Sequence, residues 1–297
     1  MKVFISFILF LIAALVVGAL LSYPVHQLIS LFTEIPLEKL VNKVSKLVAI
    51  AGIVPFLAIY ALNSWQAAGL NISKREFWRE YFVGLGIGIA TLCILTGMIM
   101  LLDIRVIDNA YEFNIINLIK TLAIGLVIGT LVAFIEEIFF RGVMMTGISR
   151  TTSLLGAAFL TATLYAGIHF IKSKGVALEG SVGFFSGLEV LQQMANKIFL
   201  AKNLDSFLAL MTVGLFLALV RVNKQHIAQN IGIHAGWVMV IKFTKDITNS
   251  NDSAELSYLV GDYDGIIGWL GFGYLSLLCL GYYLFVLRPK INGVQSK

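Results

Sequence analysis

The sequence predicts an all-α fold: a polytopic transmembrane helix bundle of about eight spans, with interfacial amphipathic helices between them. Three observations carry this expectation. Of 297 residues, 58% are hydrophobic and 13% are charged, and the mean hydropathy is +0.88, whereas a globular domain carries roughly a quarter charged residues. Uncharged runs recur at the ~20 residues needed to cross ~30 Å of hydrocarbon as a helix. With Pro at 4 and Cys at 2, disordered, collagen-like and disulfide-scaffold classes are excluded along with the ordinary soluble domain.

The first span covers residues 3–21. It is read as retained, since no small-x-small cleavage signal precedes Tyr23-Pro24 and the apolar stretch is long for a secretory signal. Further spans are expected at 47–62, 81–102, 121–135 with its extension, 153–170, 206–220, 225–241 and 265–287. Segments 26–46 and 63–80 mix Lys, Arg, Glu and Trp with apolar residues at helical spacing, the pattern of interfacial helices. Cys93 and Cys279 lie inside apolar runs and read as small hydrophobes.

Lys and Arg in the short connections set the orientation. Lys74, Arg75 and Arg79 mark one side, together with Arg141, Arg150, Arg221, Lys224, Arg288 and Lys290; the opposing connections, 103–112 and 245–264, are acidic. Both termini are therefore expected in the cytoplasm. Lys39, Lys43, Lys46, Lys172, Lys174, Lys197 and Lys202 run against this pattern. No repeat, low-complexity tract or linker appears, so residues 1–297 read as one integral membrane domain. The net charge of +5 suits basic membrane rims, and no clustered basic and aromatic pattern points to nucleic acid.

Ionisable groups are expensive in hydrocarbon and default to functional candidates. The conspicuous set is Glu136-Glu137 with Arg141, then His169, then Asn230 and His234. Glu137 and Arg141 are four residues apart and share a helical face as an ion pair. Glu136 lies on another face, free to act as a general base if poorly solvated. The bland alternative is a snorkelling cluster at a helix end, and His169 alone would more often be a packing histidine. Depth favours chemistry. With a turn at about 150–152, Glu136 and His169 lie roughly 21 and 24 Å from it at ~1.5 Å per residue, a similar level on facing helices. His226, Asn230 and His234 line one face of their helix; His226 reads as interfacial, as does His26. Gly232, Ala235 and Gly236 permit close helix approach beside His234.

Glu136-Glu137-Ile-Phe-Phe-Arg141-Gly142 resembles the Glu-Glu-x-x-x-Arg signature of the CAAX-prenyl-protease and bacteriocin-processing family of intramembrane endopeptidases, also called the abortive-infection or CPBP family. Tyr165-Ala-Gly-Ile-His169 is similar to that family's Phe-x-x-x-His, with Tyr for Phe. His234-Ala-Gly-Trp237-Val238 resembles its His-x-x-x-Asn, with Val in the place of Asn. A literal His-x-x-x-Asn stands at His226 to Asn230, but the Trp and the small residues favour His234. The resemblance covers 118–242 as a protease core and leaves 1–112 as accessory spans.

It implies an endopeptidase that cleaves membrane-associated or lipid-facing protein or peptide substrates in the bilayer. Glu136 and His169 would activate a water, and His234 would stabilise the oxyanion or complete a metal site. Glu137, Arg141, Asn230 and Tyr165 would support them, with Asn230 a candidate substitute for the missing Asn. His-Glu-x-x-His is absent, which disfavours a zincin-like site but leaves open a zinc held by Glu136, His169 and His234. A metal-free glutamate mechanism is the alternative, slightly favoured on chemical grounds. Two other functions remain at this point. One is an ion-coupled transporter with Glu136, Glu137 and His169 as a proton relay, against which the lack of internal symmetry counts. The other is a non-catalytic member acting as an immunity or chaperone protein, which Val238 keeps open. A bacterial inner-membrane location is expected; oligomeric state and cleavage-site rule are not encoded in any motif.

Overall fold

The computed structural model describes residues 2–171, 176, 178, 180–198 and 203–289. Lys172, Lys174, Lys202 and Lys290 of the charge pattern lie outside the described residues, as does the side chain of Lys197. The helices are α1 (Lys2–Ile29), α2 (Leu37–Ile59), α3 (Lys74–Leu101), α4 (Ile115–Glu137), α5 (Met145–Ser149), α6 (Leu154–His169), α7 (Ser186–Ile198), α8 (Leu204–Lys224), α9 (Ala228–Ile247) and α10 (Trp269–Tyr282). π-helical segments follow α4 (Ile138–Met144) and α10 (Tyr283–Leu287), and strands β1 (Arg105–Ile107) and β2 (Thr248–Ser250) form an antiparallel ribbon. Side-chain caps start three of the long elements: Ser73 accepts from the Glu76 amide, Asn114 from Asn117 and Ser153 from Gly156.

Each expected span corresponds to a helix, but only six, among the described residues, are long and apolar enough to cross a membrane. The other two are α6, a shorter apolar helix, and α9. The physical reason in α9 is enclosure: residues from Ala228 to Trp237 are buried, Gln229, Asn230 and His234 among them, so this helix faces protein rather than lipid and carries polar groups a lipid-facing span would not.

The two amphipathic segments are not separate interfacial helices. Segment 26–46 is the end of α1, a turn and the first half of α2, whose Leu37, Leu40, Val41 and Val44 are buried. Segment 63–80 is an irregular connection followed by the first turns of α3. In both, the charged residues are the rims of long helices. An amphipathic helix does occur elsewhere, at α7, where Val190 and Met194 are fully buried while Glu189, Gln192 and Asn196 are exposed.

Packing divides the chain into three groups. Helix α9 sits against both α3 and α4, α8 against α6 and α10, and α1 against α2 with α7 laid on them. Glycine makes the first group tight: a Cβ at Gly84 or Gly88 would run into the α9 backbone at Gln229 or Ile233, and one at Gly232 into the carbonyl of Tyr81. In lipid, where apolar side chains gain little by leaving the solvent, such close backbone approach is what associates helices.

The basic connections gather at one end of the bundle. There Arg150 donates to the carbonyls of Tyr60 (2.8 Å) and Ala61 (3.0 Å), and the Ile227 amide donates to Gly69. The β1–β2 ribbon and the acidic 245–264 connection close the opposite end.

Candidate active site

Helix α4 ends at Glu136 and Glu137, and the chain continues into a π segment, a widened turn frequent at functional sites. Glu137 is completely buried and Arg141 is 1% exposed. Arg141 Nη1 donates to Glu137 Oε1 at 2.9 Å, and Nη2 to the Gly214 carbonyl at 3.2 Å. Its guanidinium also lies 4.4 Å from the centre of the Tyr165 ring, a cation–π contact.

The same Glu137 oxygen stands 2.9 Å from His234 Nδ1. A carboxylate held by Arg141 accepts only, so Nδ1 carries a proton, and in the neutral ring Nε2 presents its lone pair. Nε2 points to Glu136 Oε2, 3.8 Å away. On α6, His169 Nδ1 is 2.7 Å from the Tyr165 carbonyl. A carbonyl likewise only accepts, so the neutral His169 ring also presents its lone pair at Nε2, 3.9 Å from the same Glu136 oxygen. That oxygen is buried and has no hydrogen-bond partner among the described residues. Three acceptors from α4, α6 and α9 thus face one another across a gap just too wide for direct bonding.

The gap opens into a cavity of about 180 Å³, walled by Leu92, Leu95, Val132, Leu210, Val213 and Leu275, and bearing Val238 where an amide would have been polar. Tyr263 and Asp264 form its rim and also line a larger polar recess of about 540 Å³ at the acidic end of the bundle. Their loop is rigidly tied. Asp264 Oδ1 accepts from the amides of Ile266 (3.0 Å) and Ile267 (2.8 Å). Arg105 joins it to the ribbon, donating to the Thr248 carbonyl (2.7 Å) and hydroxyl (2.8 Å) and to the Gly265 carbonyl (3.4 Å). Burial, with smaller contributions from the charges of Asp264 and Glu136, pushes the Tyr263 phenol above its ordinary range, so it remains a proton donor at any working pH.

The structure therefore brings Glu136, His169 and His234 together, with Glu137, Arg141 and Tyr165 around them. Asn230 does not join them: its amide donates to the Leu217 carbonyl on α8 at 2.5 Å, and it neither partners His234 nor replaces the missing Asn. Glu137 takes the partner's place. Glu137 is held by Arg141 as its spacing predicts, and it partners His234 as well. His226 is buried in the connection between α8 and α9, beside the segment whose Gly69 carbonyl receives the Ile227 amide. Tyr263 escaped the sequence reading altogether, since Gly261-Asp-Tyr-Asp-Gly265 has the composition of a plain turn.

A metal fits this centre in its chemistry. Two imidazole nitrogens and one unpartnered carboxylate oxygen are donors of the kind zinc takes, and both histidines have the outer hydrogen-bond partner that metal-bound histidines usually show. Among the described residues, however, no three such side chains stand close enough to hold an ion as placed. Zinc bonds of ~2.0–2.2 Å would need the 3.8 and 3.9 Å separations to close by a few tenths of an ångström.

Residues 118–240 match the family described as type II CAAX prenyl endopeptidase, Rce1-like. No curated protein and no solved structure matches the chain.

Proposed function

We propose, from the premise that the segment 118–240 makes this chain a member of the Rce1-like CAAX endopeptidase family, that it hydrolyses peptide bonds of membrane-associated substrates with a water held between Glu136, His169 and His234. The observation that carries this reading is the buried, unpartnered Glu136 oxygen with both histidine lone pairs turned toward it. A water entering that gap donates to Glu136, which takes its proton as the water oxygen attacks the carbonyl carbon. Glu136 then returns the proton to the departing amine.

The developing oxyanion requires donors. Glu136, His169 Nε2 and His234 Nε2 all accept, and Trp237 Nε1 is already committed to Thr91 at 2.9 Å. The cavity wall also carries the phenols of Tyr165 and Tyr263, whose hydroxyls can donate. Tyr263, at the mouth shared with the polar recess, takes the oxyanion role in this scheme. Glu137 and Arg141 hold the His234 tautomer. A zinc carried by Glu136, His169 and His234 would polarise the water and the carbonyl.

Glu136→Gln is expected to lower cleavage of a membrane-anchored peptide by about 10²–10⁴-fold with abundance and melting temperature unchanged; undiminished cleavage overturns the assignment. Metal content, measured with cleavage before and after chelation and zinc readdition, separates the two forms of water activation. The basic end and both termini are assigned to the cytoplasm. In a variant lacking Cys93 and Cys279, an impermeant thiol reagent added outside should label Ser253→Cys and spare Lys74→Cys, and the reverse pattern inverts the topology.

A further inference from the structure

At the basic end a second recess, of about 280 Å³, lies between the α2–α3 connection, the π segment with α5, and the end of α8. Arg141, Gln66, Thr146, Ser149, Arg221 and Gln225 give it its polar wall, and no Asp or Glu among the described residues lines it. The other well-placed cations at this end are met by acceptors. Arg79 and Lys224 both pair with Glu80, at 3.0 and 2.8 Å; Arg141 pairs with Glu137; Arg150 reaches two carbonyls.

Arg221 differs. It is half-buried in the last turn of α8, and its one bond among the described residues runs from Nε to the Arg141 carbonyl at 3.3 Å. Both terminal nitrogens are left without an acceptor. Gly69, at φ +71°, packs so closely on this side chain that a Cβ there would meet Nε at 3.2 Å and Nη2 at 3.3 Å, so the guanidinium is held rather than loose. The helix C-terminus explains why a cation suits this position. It does not fill the donor positions, and the hydroxyls of Thr146 and Ser149 already donate to the carbonyls of Ala67 and Thr146.

We propose that this recess is a phosphate-binding site, occupied by the headgroup of an anionic phospholipid, with the Arg221 fork and the Gln66 amide as donors. A planar guanidinium matches two phosphate oxygens at once, and basic pockets between helices at a membrane rim suit anionic headgroups. Leu154, 40% exposed at the edge, offers the apolar border that a glycerol backbone needs. Because Arg221 grips the carbonyl of Arg141, an occupied recess also braces the π segment whose arginine holds Glu137.

The test uses the full-length protein in phosphatidylcholine bilayers containing phosphatidylglycerol, extracted and weighed by native mass spectrometry. Phosphatidylglycerol should be retained at one per chain and resist millimolar inorganic phosphate. Arg221→Gln should lose it, and Arg75→Gln, at an exposed arginine of the same end, should keep it. Should Arg221→Gln fold poorly, Gln66→Glu supplies the missing carboxylate and should weaken retention about tenfold or more while leaving the melting temperature equal or higher. A melting-temperature rise of delipidated protein with inorganic phosphate, lost in Gln66→Glu and without lipid retention, assigns the site to free phosphate instead. Equal lipid retention and equal phosphate response in wild type and Gln66→Glu overturn the site.

Discussion

The α3–α4–α9 group and the α1–α2 hairpin are both apolar helices in close contact, yet they use polar groups in opposite ways. In the first, Glu137, Arg141, Asn230 and His234 are buried and bonded from one helix to another, Arg141 and Asn230 reaching carbonyls of α8 and His234 reaching Glu137. In the hairpin the buried polar residues are small serines serving nearby backbone: Ser22 donates to Ala19 of its own helix at 2.6 Å, and Ser45 to Leu15 of α1 at 3.4 Å. The two regions meet through rings: Phe7 of α1, 4.7 Å from Phe56 within the hairpin, lies 5.8 Å from Phe139 in the π segment after α4. The lesson is that small residues suffice to dock helices in lipid, while a charged network fixes which side chains face a common point. The hairpin lies outside the family-matching segment, as expected of an element that docks without building the site.

Breaking the network should cost most. Arg141→Ala leaves Glu137 buried with only His234, and is expected to lower stability by about 3–5 kcal/mol, read as a fall in detergent melting temperature with loss of cleavage; a small change would mean that the network is dispensable.

Next comes a donor at the cavity mouth. Tyr263→Phe should slow turnover by about 10²-fold or more with KM and melting temperature little changed, whereas Tyr60→Phe in the hairpin, which loses a 2.6 Å bond to Ser6, should leave turnover alone and cost about 0.5–1.5 kcal/mol. Equal turnover in both variants would remove Tyr263 from the mechanism.

Small residues sharpen the contrast further. Gly232→Val drives a side chain into the Tyr81 carbonyl of α3 and should cost about 1–3 kcal/mol or more. Gly52→Val in α2 meets only the movable Phe10 ring and should cost less, as paired melting curves would reveal.

The smallest effect is expected at His226, in the α8–α9 connection. Burial lowers its pKa, against opposing pulls from Glu80 and Glu76. The unfolded chain then takes up the proton first as pH falls, so the stabilising contribution is complete above about pH 6.5 and is lost as pH drops through the folded-state value. His226→Asn should flatten the acid side of the stability profile relative to wild type.

Much of this was legible in the residues. Hydropathy runs placed the helices, and the spacing of Glu137 and Arg141 gave their ion pair because residues four apart share a helical face whatever surrounds them. Equal depth on a hairpin put Glu136 level with His169, and they stand 3.9 Å apart. The failures have one physical origin. Asn230 and His234 share a face of α9, but that face borders two helices, so one reaches Leu217 of α8 and the other Glu137 of α4.

Composition and periodicity by themselves determined the membrane-embedded helical bundle, its basic and acidic ends, and the few ionisable groups worth watching, because these follow from local spacing and the cost of charge in hydrocarbon. Tertiary structure alone decided that α9 runs inside the bundle, that Glu137 orients His234, and that a loop more than twenty residues beyond the family-matching segment brings Tyr263 to the cavity mouth. These depend on how helices cross and where their ends come to rest, which no single helix records in its own sequence.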